Sequence, residues 1–106
     1  MESKLTVSCV NDVVKVKMCG RLDATNAEGL QNELKLFAGK NIAQLVFLAK
    51  DLEYISSAGL RVIIFAKQKI GVDAHIFLVG ASEAILNVIK MSGLDNFMTL
   101  KDTWTE

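Results

Sequence analysis

Residues 44–80 read QLVFLAKDLEYISSAGLRVIIFAKQKIGVDAHIFLVG. Two short apolar runs, QLVFLA and HIFLVG, bracket a segment that opens on two adjacent serines and a glycine. The runs are too short for helices and suit central strands covered on both faces. The segment between them has helical spacing from about Ala58 to Ile70. Strand, helix, strand in that order is a βαβ unit, whose parallel pairing needs a crossover connection.

Upstream, LTVSCV places Leu5, Val7 and Cys9 alternately with Thr6 and Ser8, and VVKVKM does the same with Val14, Val16 and Met18 against Lys15 and Lys17. Asn11-Asp12 between them fits a two-residue hairpin turn. That register sets Cys9 opposite Val14 and Cys19 opposite Lys4, too far apart for a disulfide, so the expectation is two buried, reduced thiols. Next, GRLDATNAEGLQNELKLFAGK has capping-box spacing at Thr25 and Glu28. Ala27, Leu30, Leu34, Phe37 and Ala38 then recur at helical spacing until Gly39. Downstream, Ser82 to Ser92 forms another helix with Ile85, Leu86, Val88 and Ile89 on its apolar side and Gly93 beyond its end. NFMTL supplies a final short strand.

The resulting order is β-β-α-β-α-β-α-β. It predicts an α/β fold: a mixed β-sheet with parallel central strands joined by right-handed crossovers. With 106 residues, 51% of them hydrophobic, one domain spanning 1–106 is expected, and it can bury a core without staples. Twelve basic residues balance twelve acidic ones. That neutrality argues against direct nucleic-acid binding, which favours a basic excess or patch. No apolar stretch approaches the ~20 residues of a bilayer span, and MESKLTVS lacks the apolar core of a signal peptide. No membrane insertion and a cytoplasmic location are expected, and no cofactor or metal-binding spacing is present.

Loops after parallel strands gather at their C-terminal edge, where open α/β sheets usually carry their sites. Tyr54-Ile55-Ser56-Ser57-Ala58-Gly59-Leu60-Arg61 is such a loop. A helix N-cap accounts for Ser56 or Ser57, but not for both. A hydrolytic nucleophile would need a positioned base, and the single histidine, His75, begins an apolar strand away from any G-x-S-x-G elbow. Phosphate binding of the P-loop kind lacks its lysine. Around the helix, Gly59, Ile63, Ala66 and Ile70 centre the buried arc, while Arg61 and Gln68 face away with Phe65 beside them. An exposed aromatic next to an arginine has the profile of a binding hot spot. Ser57, Ala58, Arg61 and Phe65 would share that face.

YISSAGLRVII, together with GRLDATNA and the order of elements, resembles the STAS-domain anti-sigma factor antagonists over essentially the whole chain. In that family a strand ends in a loop of the type Tyr-Ile-Asp-Ser-Ser/Thr-Gly-Leu, and a partner kinase phosphorylates the serine after the acidic position. The resemblance therefore implies that Ser57 is the phospho-acceptor, with Ser56 in the acidic place as a competing acceptor and Ala58 in the Ser/Thr place. Gly59 and Leu60 are retained. Gly20, Leu22 and Asp23 match the family's G-x-L-D turn, which sets Asp23 near Ser57, or equally in support of the helix start at Thr25. Arg61 occupies a position often held by a small residue, from which it can alter partner choice or steady a phosphate.

What the resemblance implies is a non-enzymatic, phosphorylation-controlled protein–protein switch. Unphosphorylated, it binds an anti-sigma factor that is also a serine kinase and thereby frees a sigma factor; a metal-dependent serine phosphatase resets it. The partner-binding residues on this reading are Asp23, Ser56, Ser57, Ala58, Gly59, Arg61 and Phe65. The alternative is a STAS scaffold or small-ligand-sensing subunit that acts by binding alone.

Overall fold

The computed structural model describes residues 3–103. Five strands, β1 (Lys4–Val10), β2 (Val13–Leu22), β3 (Gln44–Ile55), β4 (His75–Val79) and β5 (Thr99–Lys101), form one sheet in sequential order. The first pair is antiparallel and the other three are parallel. Helices α1 (Ala27–Lys35), α2 (Ser57–Phe65) and α3 (Glu83–Ser92) make the three crossovers that parallel pairing requires.

The hairpin register is as expected from its two-residue turn: Cys9 pairs with Val14 and Cys19 with Lys4. Asn11 and Asp12 both take positive φ, 52° and 65°, the conformation that matches the twist of the flanking strands. The expectation of two buried thiols fails, because β1 is an edge strand. Cys9 is exposed and Cys19 is half-buried.

The core lies on one face of the sheet. Val14, Val16 and Met18 of β2, Leu45 and Phe47 of β3 and Leu78 of β4 cluster there with Leu30 and Leu34, Val62 and Ile63, and Ile85 and Ile89 from the three helices. The opposite face carries a smaller cluster, Val46, Phe77 and Val79, flanked by Val13 and Leu48 and without any helical residue among those described. The central strands are thus apolar on both faces, as their composition requires, but helices cover only one. On the other, the Lys101 ammonium lies 5.2 Å from the centre of the Phe77 ring. Its alkyl stem can cover apolar surface while the charge stays in water.

Several elements differ from the sequence expectation at their ends. The capping box at Thr25 and Glu28 is not formed: Asn26 is the N-cap residue, and the Thr25 hydroxyl donates to the Asp23 carboxylate instead. α1 stops at Lys35, so Phe37 packs on the core from a turn and Ala38 is exposed. Helix α2 changes to π-helical geometry over Ala66–Ile70, where Gly71 N–H donates to Ala66 at 2.7 Å. β3 runs six residues beyond the apolar run QLVFLA. Register shifts against β2 between Lys17 and Cys19, and again between Gly20 and Arg21, break its alternation. They bring Leu52 and Ile55, three residues apart, both to the buried side. In NFMTL, Asn96 and Phe97 belong to a 3₁₀ turn, leaving a strand of three residues from Thr99. Helix α3 is as read, with Ser82 at its N-cap and Gly93 at φ 80° beyond its end. Among the described residues no helix is long and apolar enough to cross a membrane.

Candidate functional site

Two chain segments meet where β2 and β3 end side by side, with Leu22 paired to Ile55. Beyond Leu22 the chain makes a tight turn at Asp23. The Asp23 carboxylate accepts from Thr25 N–H at 3.0 Å and from the Thr25 hydroxyl, while its carbonyl accepts from Asn26 and Ala27. Asn26 closes the turn from the other side: its Oδ1 accepts from Asp23 N–H at 3.0 Å and its Nδ2 donates to the Arg21 carbonyl at 2.8 Å. Arg21 Nε lies 3.3 Å from Asp23 Oδ2. These donors, the Thr25 hydroxyl first, its backbone N–H next and Arg21 after them, hold the Asp23 carboxyl below its ordinary value of 3.8.

Beyond Ile55 the chain passes directly into α2. Ser56 N–H donates to the Leu22 carbonyl at 2.9 Å, which ties the loop to the end of β2. The Ser56 side chain then accepts from Gly59 N–H at 3.3 Å, satisfying one of the donors that a helix start leaves unpaired. Ser56 is the cap, in extended backbone geometry, and Ser57 is the first helical residue and exposed. The two serines therefore do different things. A serine in the acidic place still caps, because Ser and Asp offer the same kind of acceptor.

Gly59 allows this helix to sit so close. A Cβ there would fall 2.8 Å from Leu22 Cγ, 2.9 Å from Ile55 Cγ1 and 2.9 Å from the Leu22 carbonyl oxygen. One turn on, Arg61 reaches back along the helix to Ser57. Its Nη2 is 3.4 Å from Ser57 Oγ, and its Nε is 3.4 Å from the Ser57 carbonyl oxygen.

Of the residues singled out in the sequence, Ser56, Ser57, Ala58, Gly59 and Arg61 come together in the first turns of α2, and Asp23 follows the strand end paired with theirs. Ser57 and Arg61 are exposed; Ala58 is half-buried. Phe65 does not project freely. It is half-buried and packs on the core. Ile64 is the exposed apolar residue of that turn. Tyr54, read as an apolar position, is also exposed and lies beneath Arg21, whose guanidinium carbon is 4.2 Å from the ring centre. The sequence reading missed Asn26, although Asp and Asn are both residues whose side chains commonly bond nearby backbone in turns. It also missed the Arg21–Tyr54 contact, which exists only through the shifted register of β2 and β3.

His75 opens β4 opposite Gln44, at the start of β3. Ser57 lies beyond the other end of that twelve-residue strand, many times a hydrogen-bond length away. The histidine cannot serve as a base for this serine. Among the described residues no group of acidic, histidine or cysteine side chains is placed to hold a metal ion.

The site is a capped helix start that presents an exposed serine at the C-terminal edge of a parallel sheet. A family model described as the STAS domain matches residues 4–106, and the chain belongs to that family, in its anti-sigma factor antagonist branch. Such antagonists are binding proteins and not enzymes. The chain is 33% identical over 91 residues to BtrV of Bordetella bronchiseptica, described as an anti-sigma factor antagonist; the match covers 85% of this chain and 78% of BtrV. The crystal structure of a Thermotoga maritima protein similarly described, TM1081, superposes with a TM-score of 0.80 at 25% identity, covering 93% of this chain and 86% of the other. Bacillus SpoIIAA, solved in its phosphorylated form, shares the fold with a TM-score of 0.75 at 17% identity, over 94% and 92% of the two chains.

Proposed function

We propose that this protein is a phosphorylation-controlled switch that, unmodified, binds an anti-sigma factor with serine-kinase activity and so frees a sigma factor. Ser57 is the acceptor. The observation that carries this reading is the division of labour between the serines: Ser56 is occupied as the helix cap, whereas Ser57 is exposed in the first turn of α2. The kinase transfers the γ-phosphoryl group of ATP to Ser57 Oγ, ADP leaves, and the hydroxyl proton passes to a base on the kinase. A metal-dependent serine phosphatase resets the switch in the cytoplasm by hydrolysing the phosphoserine with water, which restores the Ser57 hydroxyl and releases inorganic phosphate. The partner surface comprises Asp23, Ser57, Ala58 and Arg61 around the Ser56 cap, whereas Gly59, buried against Leu22 and Ile55, and the half-buried Phe65 serve it by seating α2. The description of BtrV as an anti-sigma factor antagonist supports the choice of partner.

Incubation with a partner kinase and ATP, followed by intact mass and peptide mapping, tests the assignment. A single phosphoryl group on Ser57 is expected. Modification mainly at Ser56, or at neither serine, overturns it.

A second reading, a STAS subunit that acts by sensing a small ligand, draws on a groove of about 540 Å³ on the helix-free face, lined among others by Lys17, Leu48, Lys50 and Val79. Leu48 and Val79 give it an apolar part, and Lys15, Lys17 and Lys50 stand there with Asp51 and Asp102, a mixed lining that suits a small amphiphilic ligand. Saturable binding of such a ligand that is abolished by Lys50→Glu, in a protein no kinase modifies, would favour that reading.

A further inference from the structure

We propose that Arg61 is the phosphate-holding residue of this switch: once Ser57 is modified, the guanidinium grips the phosphoryl oxygens from one helical turn away. This rests on the reading of Ser57 as the acceptor, and adds to it a regulatory role for a side chain on the same helix. The guanidinium is already turned toward that hydroxyl, at 3.4 Å from both the Oγ and the carbonyl oxygen of Ser57. Both distances are long for a neutral hydrogen bond, so the pair is weak before modification.

Phosphorylation changes that balance. It adds three strong acceptor oxygens and about −1.5 to −2 charges at neutral pH. Charge-assisted bonds from arginine to phosphate are shorter and roughly twice as strong, and the planar fork can take two oxygens at once. The spacing of four residues places the two side chains on one face of α2, and both are exposed, so the longer phosphoserine side chain has room to meet the guanidinium. Arg21 and Asp23, at the neighbouring strand end, are paired with each other. The phosphate thus finds the α2 N-terminus behind it and Arg61 over it. A guanidinium available to a partner in the unmodified protein becomes engaged within the chain.

The test does not need the kinase. Phosphoserine is incorporated at position 57 by nonsense suppression, and the second ionisation of the phosphate is followed by ³¹P NMR against pH in the otherwise unaltered chain, in Arg61→Gln and in Arg21→Gln. The expected midpoint lies below that of Arg61→Gln by about 0.3 pH unit or more, the size an exposed ion pair at this spacing gives, while Arg21→Gln keeps most of the lowering. The helix N-terminus acts equally in all three proteins, so the difference isolates the arginine. Identical midpoints with and without Arg61 would overturn the proposal. So would an equal loss in Arg21→Gln, which would assign the effect to the general field of the sheet edge. Failure of a kinase to modify Ser57 would overturn the functional reading and leave this measurement standing.

Discussion

Gly59 is held so close to Leu22 and Ile55 that an added methyl group has no room: its three nearest neighbours would all lie under 3.0 Å, one of them a backbone oxygen. Gly59→Ala must therefore push α2 off the strand ends and is expected to cost about 1–3 kcal/mol, as overpacking does, read by chemical denaturation. The adjacent serines make a sharper comparison. Ser56→Ala removes the cap of α2 and should lose about 1 kcal/mol, whereas Ser57→Ala, at an exposed position, should stay within about 0.5 kcal/mol while abolishing phosphorylation. At Asp23 the carboxyl is held low by the Thr25 hydroxyl, then the Thr25 backbone N–H, then Arg21. A folded-state value below the unfolded one contributes stability above pH ~4, and that contribution is lost as pH falls through the folded value. Melting temperature should thus fall more steeply in acid for the native chain than for Asp23→Asn. Parallel curves for the two proteins would remove Asp23 from the account.

Helix α2 shows where element-level reading succeeds and where it stops. The apolar arc Gly59, Ile63, Ala66 and Ile70 follows from 3.6-residue periodicity, and all four are buried. Phe65 lies outside that arc on a wheel, yet it is half-buried against the core, an environment that the periodicity of residues 57–70 does not encode. Phe65→Ala should consequently destabilise the fold by about 2 kcal/mol, below the 3–5 kcal/mol of a wholly buried phenylalanine. Any loss of partner affinity should shrink once unfolding is accounted for. A full-length affinity defect with unchanged stability would instead make Phe65 a direct contact. Strand β3 was legible only in its first half for a related reason. QLVFLA is continuous and apolar, but KDLEYI repeats every three residues because two register shifts against β2 interrupt the pleat. Bulges are a property of a strand pair, and one strand's sequence shows only their consequence.

For the molecule as a whole, the site lies at the surface, at the edge of the sheet, and the switch should act at the interface. A phosphate on Ser57 stands at the positive end of α2, which the fold tolerates. A partner closing over it must bury a charge, at a cost of several kcal/mol unless new donors meet it. A net penalty of about 3 kcal/mol weakens the complex roughly a hundredfold. Ser57→Asp should therefore bind the anti-sigma partner poorly in titration calorimetry with a native melting temperature, whereas Ser57→Ala should bind it. Tight binding by stoichiometrically phosphorylated protein would sink this mechanism. The order of elements, the hairpin register, the βαβ unit and the loop that carries Ser57 were all determined by the sequence itself, because period, turn chemistry and motif spacing act over a few neighbouring residues. Three things waited for the tertiary structure: which serine caps, which face of the sheet the helices cover, and how Arg21, Tyr54, Asp23 and Asn26 gather at one edge. The covered face and the Arg21–Tyr54 contact depend on segments about thirty residues apart or more, placed by packing and strand register, which no local pattern records. The cap and the Asp23–Asn26 turn are closed by bonds within five residues, but between adjacent candidates of equal propensity only the backbone geometry decides.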